Sequence, residues 1–187
     1  MHRSLGVAFI VAAVAAMFCT GLVAGKSGPL SYELLGVRAA VARYHDYAQA
    51  VRDGYSLAGE PCVFSPSGTM GYHALNLAIA ISGVNDPARP PVLLYVPKGD
   101  GLELVAVEYF HVAIANTEGG PALWWAPTPP PLGFLSTAPS IFGRTFDGPM
   151  AGHNPQMPWH YDLHAWVVEA NPSGVFTQYN PAVSCGG

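Results

Sequence analysis

Apolar side chains recur three and four positions apart along residues 32–53, the spacing that places them on one face of an α-helix. This apolar stripe consists of Leu34, Val37, Val41, Tyr44, Ala48, Val51 and Tyr55. Ser31 stands where a helix needs an N-cap side chain, and Gly54 stands where a helix commonly ends. The pattern predicts a single amphipathic helix over residues 32–53.

After Gly54 the apolar residues come in short runs bounded by proline, glycine, asparagine and aspartate, which is typical of β-strands. The predicted strands cover residues 71–81, 92–96, 102–114 and 159–168. The turn Lys98-Gly99-Asp100-Gly101 predicts a hairpin, whereas residues 124–158 show no clear period and predict a long loop. The order of elements predicts an α+β fold, with the N-terminal amphipathic helix packed on a mostly antiparallel sheet or small open barrel.

Residues 1–25 have the pattern of a signal peptide, with Arg3 before a long apolar run and small residues at Val23-Ala24-Gly25. We therefore expect an exported protein, secreted or held in the periplasm or cell envelope, whose residues 26–187 form one globular domain. The alternative is a leader retained as a membrane anchor, because about 20 apolar residues can span a bilayer.

Cys62 and Cys185 are the two cysteines outside this leader. In an exported chain they favour a disulfide, because free thiols do not persist in an oxidising compartment. Such a bridge would tie the C-terminus to an early element of the fold. A metal site built on both thiols is the weaker alternative, since neither cysteine lies in a Cys-x-x-Cys pair.

Strand alternation places polar residues on faces that are otherwise apolar. Glu108 is the only charged residue on a face that it shares with Leu104, Ala106 and Phe110. His73 is the polar member of a face of the 71–81 strand. A lone buried carboxylate is costly unless a cation or a hydrogen-bond donor meets it. The simplest partner is His73, either in a buried structural pair with Glu108 or in a shared binding pocket.

The last predicted strand carries His160, Asp162 and His164 on one face, while its other face is apolar. Same-face neighbours on a strand are about 7 Å apart, so Asp162 can share one ion with either histidine. We therefore predict a polar pocket lined by His73, Glu108, His160, Asp162 and His164.

Imidazoles and carboxylates in one pocket are typical ligands of a metal ion. His73, His160 and His164 would supply imidazoles, Glu108 would bind or orient a ligand, and Asp162 would bind directly or fix a histidine tautomer. His153 and Met157 are optional ligands or part of a lid. Thioether with imidazole suits copper, whereas imidazole with carboxylate suits zinc or iron. The expected metal is copper or zinc, with iron less favoured.

The charge distribution narrows the choice of partners. The formal net charge is −4 and no run of lysine or arginine occurs. The sequence therefore shows no cluster of positive charge that could bind the phosphates of a nucleic acid. A glycine-rich phosphate loop and the Gly-x-Ser-x-Gly and His-Glu-x-x-His motifs are also absent. The expected partner is a metal ion or a small molecule, with membrane contact only through an uncleaved leader.

Five stretches of the chain resemble a family of exported bacterial proteins of unknown function. They are residues 42–55, 70–76 (MGYHALN), 90–110, 142–167 (including HYDLHAW) and 171–185. The resemblance implies an exported single domain that ends in a cysteine, and it implies no reaction. The chain departs from the family pattern at Ala74 and after His164.

Three functions are compatible with these observations. The first is metal binding without turnover, and the second is a metal-dependent enzyme of unknown reaction with Glu108 as acid or base. The third is a metal-free small-molecule binding module, with a pocket formed by Trp124, Trp125, Trp159 and Trp166.

Overall fold

The computed structural model describes residues 29–57, 59, 61–153 and 157–186. The predicted signal peptide, residues 1–25, lies outside the described residues. Within the described ranges, the helices are too short or too polar to cross a membrane.

The predicted N-terminal helix forms as two helices joined by a turn. Helix α1 covers Tyr32–Val41, a 3-10 turn covers Ala42–His45, and helix α2 covers Tyr47–Arg52. The prediction of one continuous helix is therefore wrong. Asp46 explains the break, because its carboxylate accepts a hydrogen bond from the Ala48 backbone N–H (3.0 Å) and caps α2.

The break also changes which residues are buried. A 3-10 turn has about three residues per turn, so it rotates the following helix relative to the predicted stripe. Ala48 and Val51 are consequently exposed, while Ala50 is buried. Leu34, Val37 and Val41 of α1 are buried as the stripe predicts.

Strands make up most of the remaining regular secondary structure. They are β1 (Ser56–Leu57), β2 (Val63–Ser65), β3 (Gly68–Leu75), β4 (Val92–Lys98), β5 (Gly101–Val112), β6 (Ser140–Ile141), β7 (Arg144–Thr145), β8 (Asp147–Met150) and β9 (His160–Ala165). A third helix, α3, covers Leu77–Ser82. The main sheet has the order β1-β3-β4-β5-β9-β8, with β2 paired to β3. All its pairs are antiparallel.

This arrangement confirms a mostly antiparallel sheet accompanied by few helices. The predicted hairpin is present, since Lys98 pairs with Gly101. Over the residues that the structure describes, the sheet runs as an open path from β1 to β8 and closes into no barrel.

The prediction of a strand over residues 71–81 is correct only as far as Leu75. The Asn76 side chain accepts a hydrogen bond from the Ile79 backbone N–H (3.2 Å) and starts helix α3. An N-cap asparagine therefore overrides a run of apolar residues that is compatible with either structure. Leu77 and Ile79 consequently do not continue the strand face of His73.

A β-bulge in β5 changes one predicted face. Leu94 pairs with Ala106 and Tyr95 pairs with Leu104, so Val105 is an extra residue on β5. The extra residue reverses the alternation. Leu104 therefore packs in the core beside α1 and does not share a face with Glu108.

The main sheet has two different faces. One face joins the buried residues of α1 in a single hydrophobic cluster that includes Leu93, Tyr95, Val107 and Leu163. The tyrosine hydroxyl of Tyr95 donates a hydrogen bond to the Tyr44 carbonyl in the turn before α2 (2.7 Å). The other face carries a smaller apolar cluster and the polar side chains described below.

The predicted disulfide is present between Cys62 and Cys185, whose Cα atoms are 5.7 Å apart. It connects the C-terminal segment to the residue before β2, across a separation of 123 residues.

Candidate metal centre

Strand register places five polar side chains close together on the face of the sheet opposite to α1. Glu108 of β5 stands directly across from His164 of β9, and Phe110 stands across from Asp162. His160 precedes Asp162 by two residues and lies on the same face of β9. His73 reaches the group from β3, where it pairs with Leu94 of the intervening strand β4.

The five side chains form two overlapping groups that share Glu108. In the first, the ligand atoms of His73, Glu108 and His164 lie within 4.8 Å of one another, and in the second so do those of Glu108, His160 and Asp162. Each group could hold a metal ion. We call the five residues together the His/carboxylate cluster.

Individual distances show how tightly the cluster is built. His73 Nε2 lies 3.4 Å from Glu108 Oε2, and His164 Nε2 lies 4.0 Å from the same oxygen. Asp162 Oδ2 lies between two imidazoles, 3.8 Å from His160 Nε2 and 3.9 Å from His164 Nδ1. The Asp162 carboxylate therefore lies between the two histidines of its own strand.

Most of these separations are too long for hydrogen bonds and close to those between ligands of one ion. Hydrogen bonds between nitrogen and oxygen are about 2.7–3.2 Å long. Two ligands of one tetrahedral zinc ion are roughly 3.3 Å apart, given metal–ligand bonds of about 2.0 Å. A small inward shift would therefore bring the ligand atoms of either group onto an ion.

The cluster is buried, and two of its histidines lack expected hydrogen bonds. All five side chains are at most 5% exposed. Over the described part of the chain, His160 Nε2 and both ring nitrogens of His164 have no hydrogen-bond partner. Buried polar atoms without a partner are rare and costly in folded proteins. A bound ion would satisfy His160 Nε2 or one nitrogen of His164, since an imidazole binds a given ion through one of its two nitrogens.

A hydrogen bond from His160 orients its ring toward the cluster. His160 Nδ1 lies 3.0 Å from the Pro158 carbonyl oxygen. Because a carbonyl only accepts, Nδ1 carries the hydrogen and Nε2 presents its lone pair to Asp162 and the cluster. Phe110 stacks on the same imidazole at 4.7 Å between ring centroids, which further restricts its rotation.

The cluster histidines are in the form that binds metals. Burial lowers the pKa of His73 to about 3 and that of His160 to about 4. Burial, with the nearby imidazoles of His73, His153 and His160, also holds the pKa of His164 well below its usual range. The imidazoles are therefore neutral at pH 7 and keep their lone pairs available.

The Asp162 carboxyl has an environment that disfavours its charge. Burial, with a smaller contribution from the nearby Asp147 carboxylate, raises the pKa of Asp162 to about 7, although Gln178 acts in the opposite direction. A metal ion is the kind of positive charge that would stabilise a carboxylate in such a place.

The optional residues His153 and Met157 lie at the border of the cluster. His153 is exposed, and its ring centroid is 5.9 Å from that of His73 and 6.0 Å from that of His160. It belongs to neither ligand group. Met157 is half-buried and packs with the smaller apolar cluster.

An apolar cleft of about 400 Å³ opens beside the cluster. His73 and Glu108 form its polar wall, and helix α3 supplies part of its apolar wall through Leu77, Ala80 and Ile81. The remaining lining residues are Leu75, Val92, Phe110, Val112, Leu123, Trp125, Met157 and Pro158.

The four tryptophans do not form one pocket. Only Trp125 lines this cleft, while Trp124 and Trp159 pack with the core beside α1. Trp166 belongs to the smaller apolar cluster, and its indole N–H donates to the Thr177 carbonyl (2.6 Å). Adjacent residues of an extended chain point in opposite directions, which separates Trp124 from Trp125.

Two contributors to the site were missed from the sequence. The Pro158 carbonyl orients His160, and α3 supplies a wall of the cleft. The pattern of residue types does not reveal which backbone carbonyl will accept a hydrogen bond from a side chain. For α3 a signal existed, since Asn76 and Gly83, which are residue types common at the two ends of a helix, flank residues 77–82.

No protein-family profile, curated protein or solved structure matches this chain. The resemblance to exported bacterial proteins of unknown function therefore stays a prediction.

Proposed function

We propose that this protein binds a transition-metal ion in the His/carboxylate cluster. The observation that carries the proposal is the state of His160 and His164. Within the part of the chain that the structure describes, their buried, neutral imidazoles present nitrogens without hydrogen-bond partners, within 4.0 Å of two buried carboxylates. A purely structural cluster gains nothing from such groups, whereas an ion held by either ligand group would be bound by one of these two histidines.

The donor atoms favour zinc or Cu(II). Three imidazoles and two carboxylates provide nitrogen and oxygen ligands, which suit these ions better than Cu(I), an ion that prefers sulfur. The group of His73, His164 and Glu108 also has the composition of the two-histidine, one-carboxylate site of iron enzymes, so iron is the third metal to measure.

An exported location accompanies this proposal. The Cys62–Cys185 disulfide is consistent with an extracellular or periplasmic compartment. The leader pattern of residues 1–25 supports the same location.

Metal content measured by mass spectrometry tests the proposal, with purified wild-type protein beside His164→Ala and His111→Ala. His111 is the matched control, because it lies on β5 with its side chain on the face opposite to Glu108. We expect metal bound to the wild type and to His111→Ala, and at least tenfold less bound to His164→Ala.

Thermal unfolding with and without zinc provides the second measurement. Zinc at a hundredfold excess over its Kd adds about 2.7 kcal/mol to the stability of the folded state. We expect this stabilisation in the wild type and not in His164→Ala, whose circular dichroism verifies its folding. The proposal is contradicted if the wild-type protein binds no metal above background and its melting temperature does not change with zinc, copper or iron.

A metal-dependent enzyme is the second candidate, favoured by the position of Glu108. This carboxylate belongs to both ligand groups and also lines the cleft, so it could act as acid or base toward a bound molecule. Cobalt-substituted protein tests for an open coordination position. A visible spectrum that changes on addition of azide supports the enzyme, and an unchanged spectrum contradicts it.

A further inference from the structure

The cleft approaches the His/carboxylate cluster from one side only. Of the five cluster residues, His73 and Glu108 line the cleft, whereas His160, Asp162 and His164 do not and are at most 1% exposed. A molecule that enters the cleft therefore meets the cluster at His73 and Glu108. An ion held by the cluster would have its accessible side there.

The walls of the cleft suit an apolar molecule of limited size. Its volume of about 400 Å³ lies near the lower end of small-molecule pockets, which span about 300–1,000 Å³. Apart from His73 and Glu108, the lining side chains are apolar or aromatic. A ligand with polar groups along its whole length would lose hydrogen bonds to water against these walls without replacing them.

The rim of the cleft leaves large apolar side chains in contact with water. Leu77 is 61% exposed, Ile81 is 71% exposed and Trp125 is 49% exposed. Leu77 and Ile81 are four residues apart on α3 and therefore lie on the same side of that helix. Such a grouping around a concave pocket is typical of a ligand-binding site.

The charges at the cleft restrict the head group of the ligand. The cluster supplies two carboxylates and three imidazoles. Because imidazole binds a metal in its neutral form, a divalent ion on the two carboxylates leaves the cluster close to neutral. A ligand in the cleft can then bind the ion through one oxygen atom, even when that oxygen carries a negative charge. A second anionic group would lie against apolar walls, because no lysine or arginine is among the described residues that line the cleft.

We propose that the cleft binds a small monocarboxylate with an aryl or branched-alkyl body, whose carboxylate completes the coordination of the metal ion. The apolar body occupies the space between α3 and Trp125, and the carboxylate points toward His73 and Glu108. This inference rests on the proposed metal binding and adds the class of ligand that the centre accepts.

Calorimetric titration of phenylacetate into zinc-loaded protein tests the inference. Acetate provides the head group without the body, and phenylsuccinate adds a second carboxylate. We expect phenylacetate to bind at least tenfold more tightly than either. Metal-free protein should bind phenylacetate at least tenfold more weakly than zinc-loaded protein.

Substitution of the rim locates the site. The double variant Leu77→Asn/Ile81→Asn should weaken phenylacetate binding at least tenfold while it retains its zinc. Val84→Asn is the matched control, because Val84 is 64% exposed and follows α3 but does not line the cleft. Its affinity for phenylacetate should stay within twofold of the wild type.

Zinc content measured on the same samples separates the two proposals. Zinc-loaded protein that binds no phenylacetate, or whose rim variant binds it unchanged, overturns the cleft inference and leaves metal binding intact. Equal affinity with and without zinc overturns the coordination of the carboxylate. Protein that takes up no metal overturns the proposed function itself.

Discussion

His160 and His164 lie on one strand face but are held in different ways. His160 donates to the Pro158 carbonyl and stacks against Phe110. Over the described residues, neither ring nitrogen of His164 has a hydrogen-bond partner, and the side chain is 1% exposed. His164 is therefore the cluster residue whose presence is least explained by a purely structural role.

Replacement of His164 by leucine should separate folding from binding. Leucine has a similar volume and removes two buried polar atoms that have no hydrogen-bond partner among the described residues. We expect the metal-free protein to gain about 1–3 kcal/mol in free energy of unfolding, less any cost of imperfect packing. Urea unfolding in the presence of a chelator measures this change.

The same variant should lose its zinc-dependent stabilisation, which makes the metal role distinguishable from a structural one. If His164→Leu instead destabilises the metal-free protein by several kcal/mol, the imidazole has a structural role that the geometry does not account for. His111→Leu on the opposite face serves as the control for the effect on zinc binding.

Strand β3 carries His73 to the cluster, and Gly71 fixes its position beside β4. Gly71 has a φ of +107°, and a Cβ atom added there would run into the Tyr95 carbonyl oxygen. This close approach needs a residue without a side chain. The pairing of His73 with Leu94 follows two residues later.

Gly71→Ala should therefore move β3 away from β4 and carry His73 with it. We expect a loss of more than about 1 kcal/mol in free energy of unfolding, because alanine neither adopts this φ readily nor fits the space. Zinc affinity should fall as well, measured by competition with a coloured chelator.

Gly36→Ala is the control for this substitution. Gly36 is an exposed residue of α1, and a Cβ atom there would meet nothing within 4 Å. Alanine should stabilise the helix by about 0.5–1 kcal/mol and leave zinc affinity unchanged. Equal behaviour of the two variants would show that the β3–β4 contact does not position the site.

At the scale of the whole molecule, the disulfide joins segments that are far apart in the sequence. The bridge closes a separation of 123 residues, and chain-entropy arguments give about 5 kcal/mol for a loop of this length. The double variant Cys62→Ser/Cys185→Ser should lose about 2–5 kcal/mol in free energy of unfolding. Urea unfolding measures the loss, and two titratable thiols in the native wild type would refute the bridge.

Buried tyrosines on the core side of the sheet determine how the fold responds to alkali. The hydroxyls of Tyr55, Tyr95 and Tyr109 donate to backbone carbonyls at 2.7–2.8 Å. Burial raises the pKa of each of these hydroxyls well above its usual value. In the unfolded chain they ionise near pH 10, while in the folded protein they stay protonated to higher pH.

Stability should therefore be unaffected by these groups below pH 10 and should fall as the pH rises above it. Each tyrosine contributes about 1.4 kcal/mol per pH unit in the range between its unfolded and folded pKa. In Tyr109→Phe, the decline in free energy of unfolding above pH 10 should be shallower by one such contribution. Equal slopes for this variant and the wild type would contradict the prediction.

Local patterns were sufficient to nominate the cluster. Alternation along a strand depends only on neighbouring residues, so His160, Asp162 and His164 could be placed on one face and Glu108 on an apolar one. Alternation predicted the wrong face or the wrong element where a helix cap or a β-bulge interrupted the strand. Asn76 ends β3 and starts α3, and the extra residue Val105 reverses the face of Leu104.

Strand β8 was missed for a related reason. Its residues Asp147-Gly148-Pro149-Met150 include the two residue types that usually indicate a turn. Proline is tolerated on an edge strand, since one side of such a strand needs no ladder hydrogen bonds. β8 is the edge of the main sheet next to β9.

The sequence by itself determined the shared strand face of His160, Asp162 and His164, the cysteine pair and the residue types of the candidate centre, because these depend on spacing and chemistry along the chain. Only the tertiary structure decided that β3, β4, β5 and β9 lie side by side in that order. It also decided that a cleft from α3 and Trp125 opens onto His73 and Glu108. Pairing between distant strands is set by the packing of the whole sheet, and spacing along the chain does not encode it.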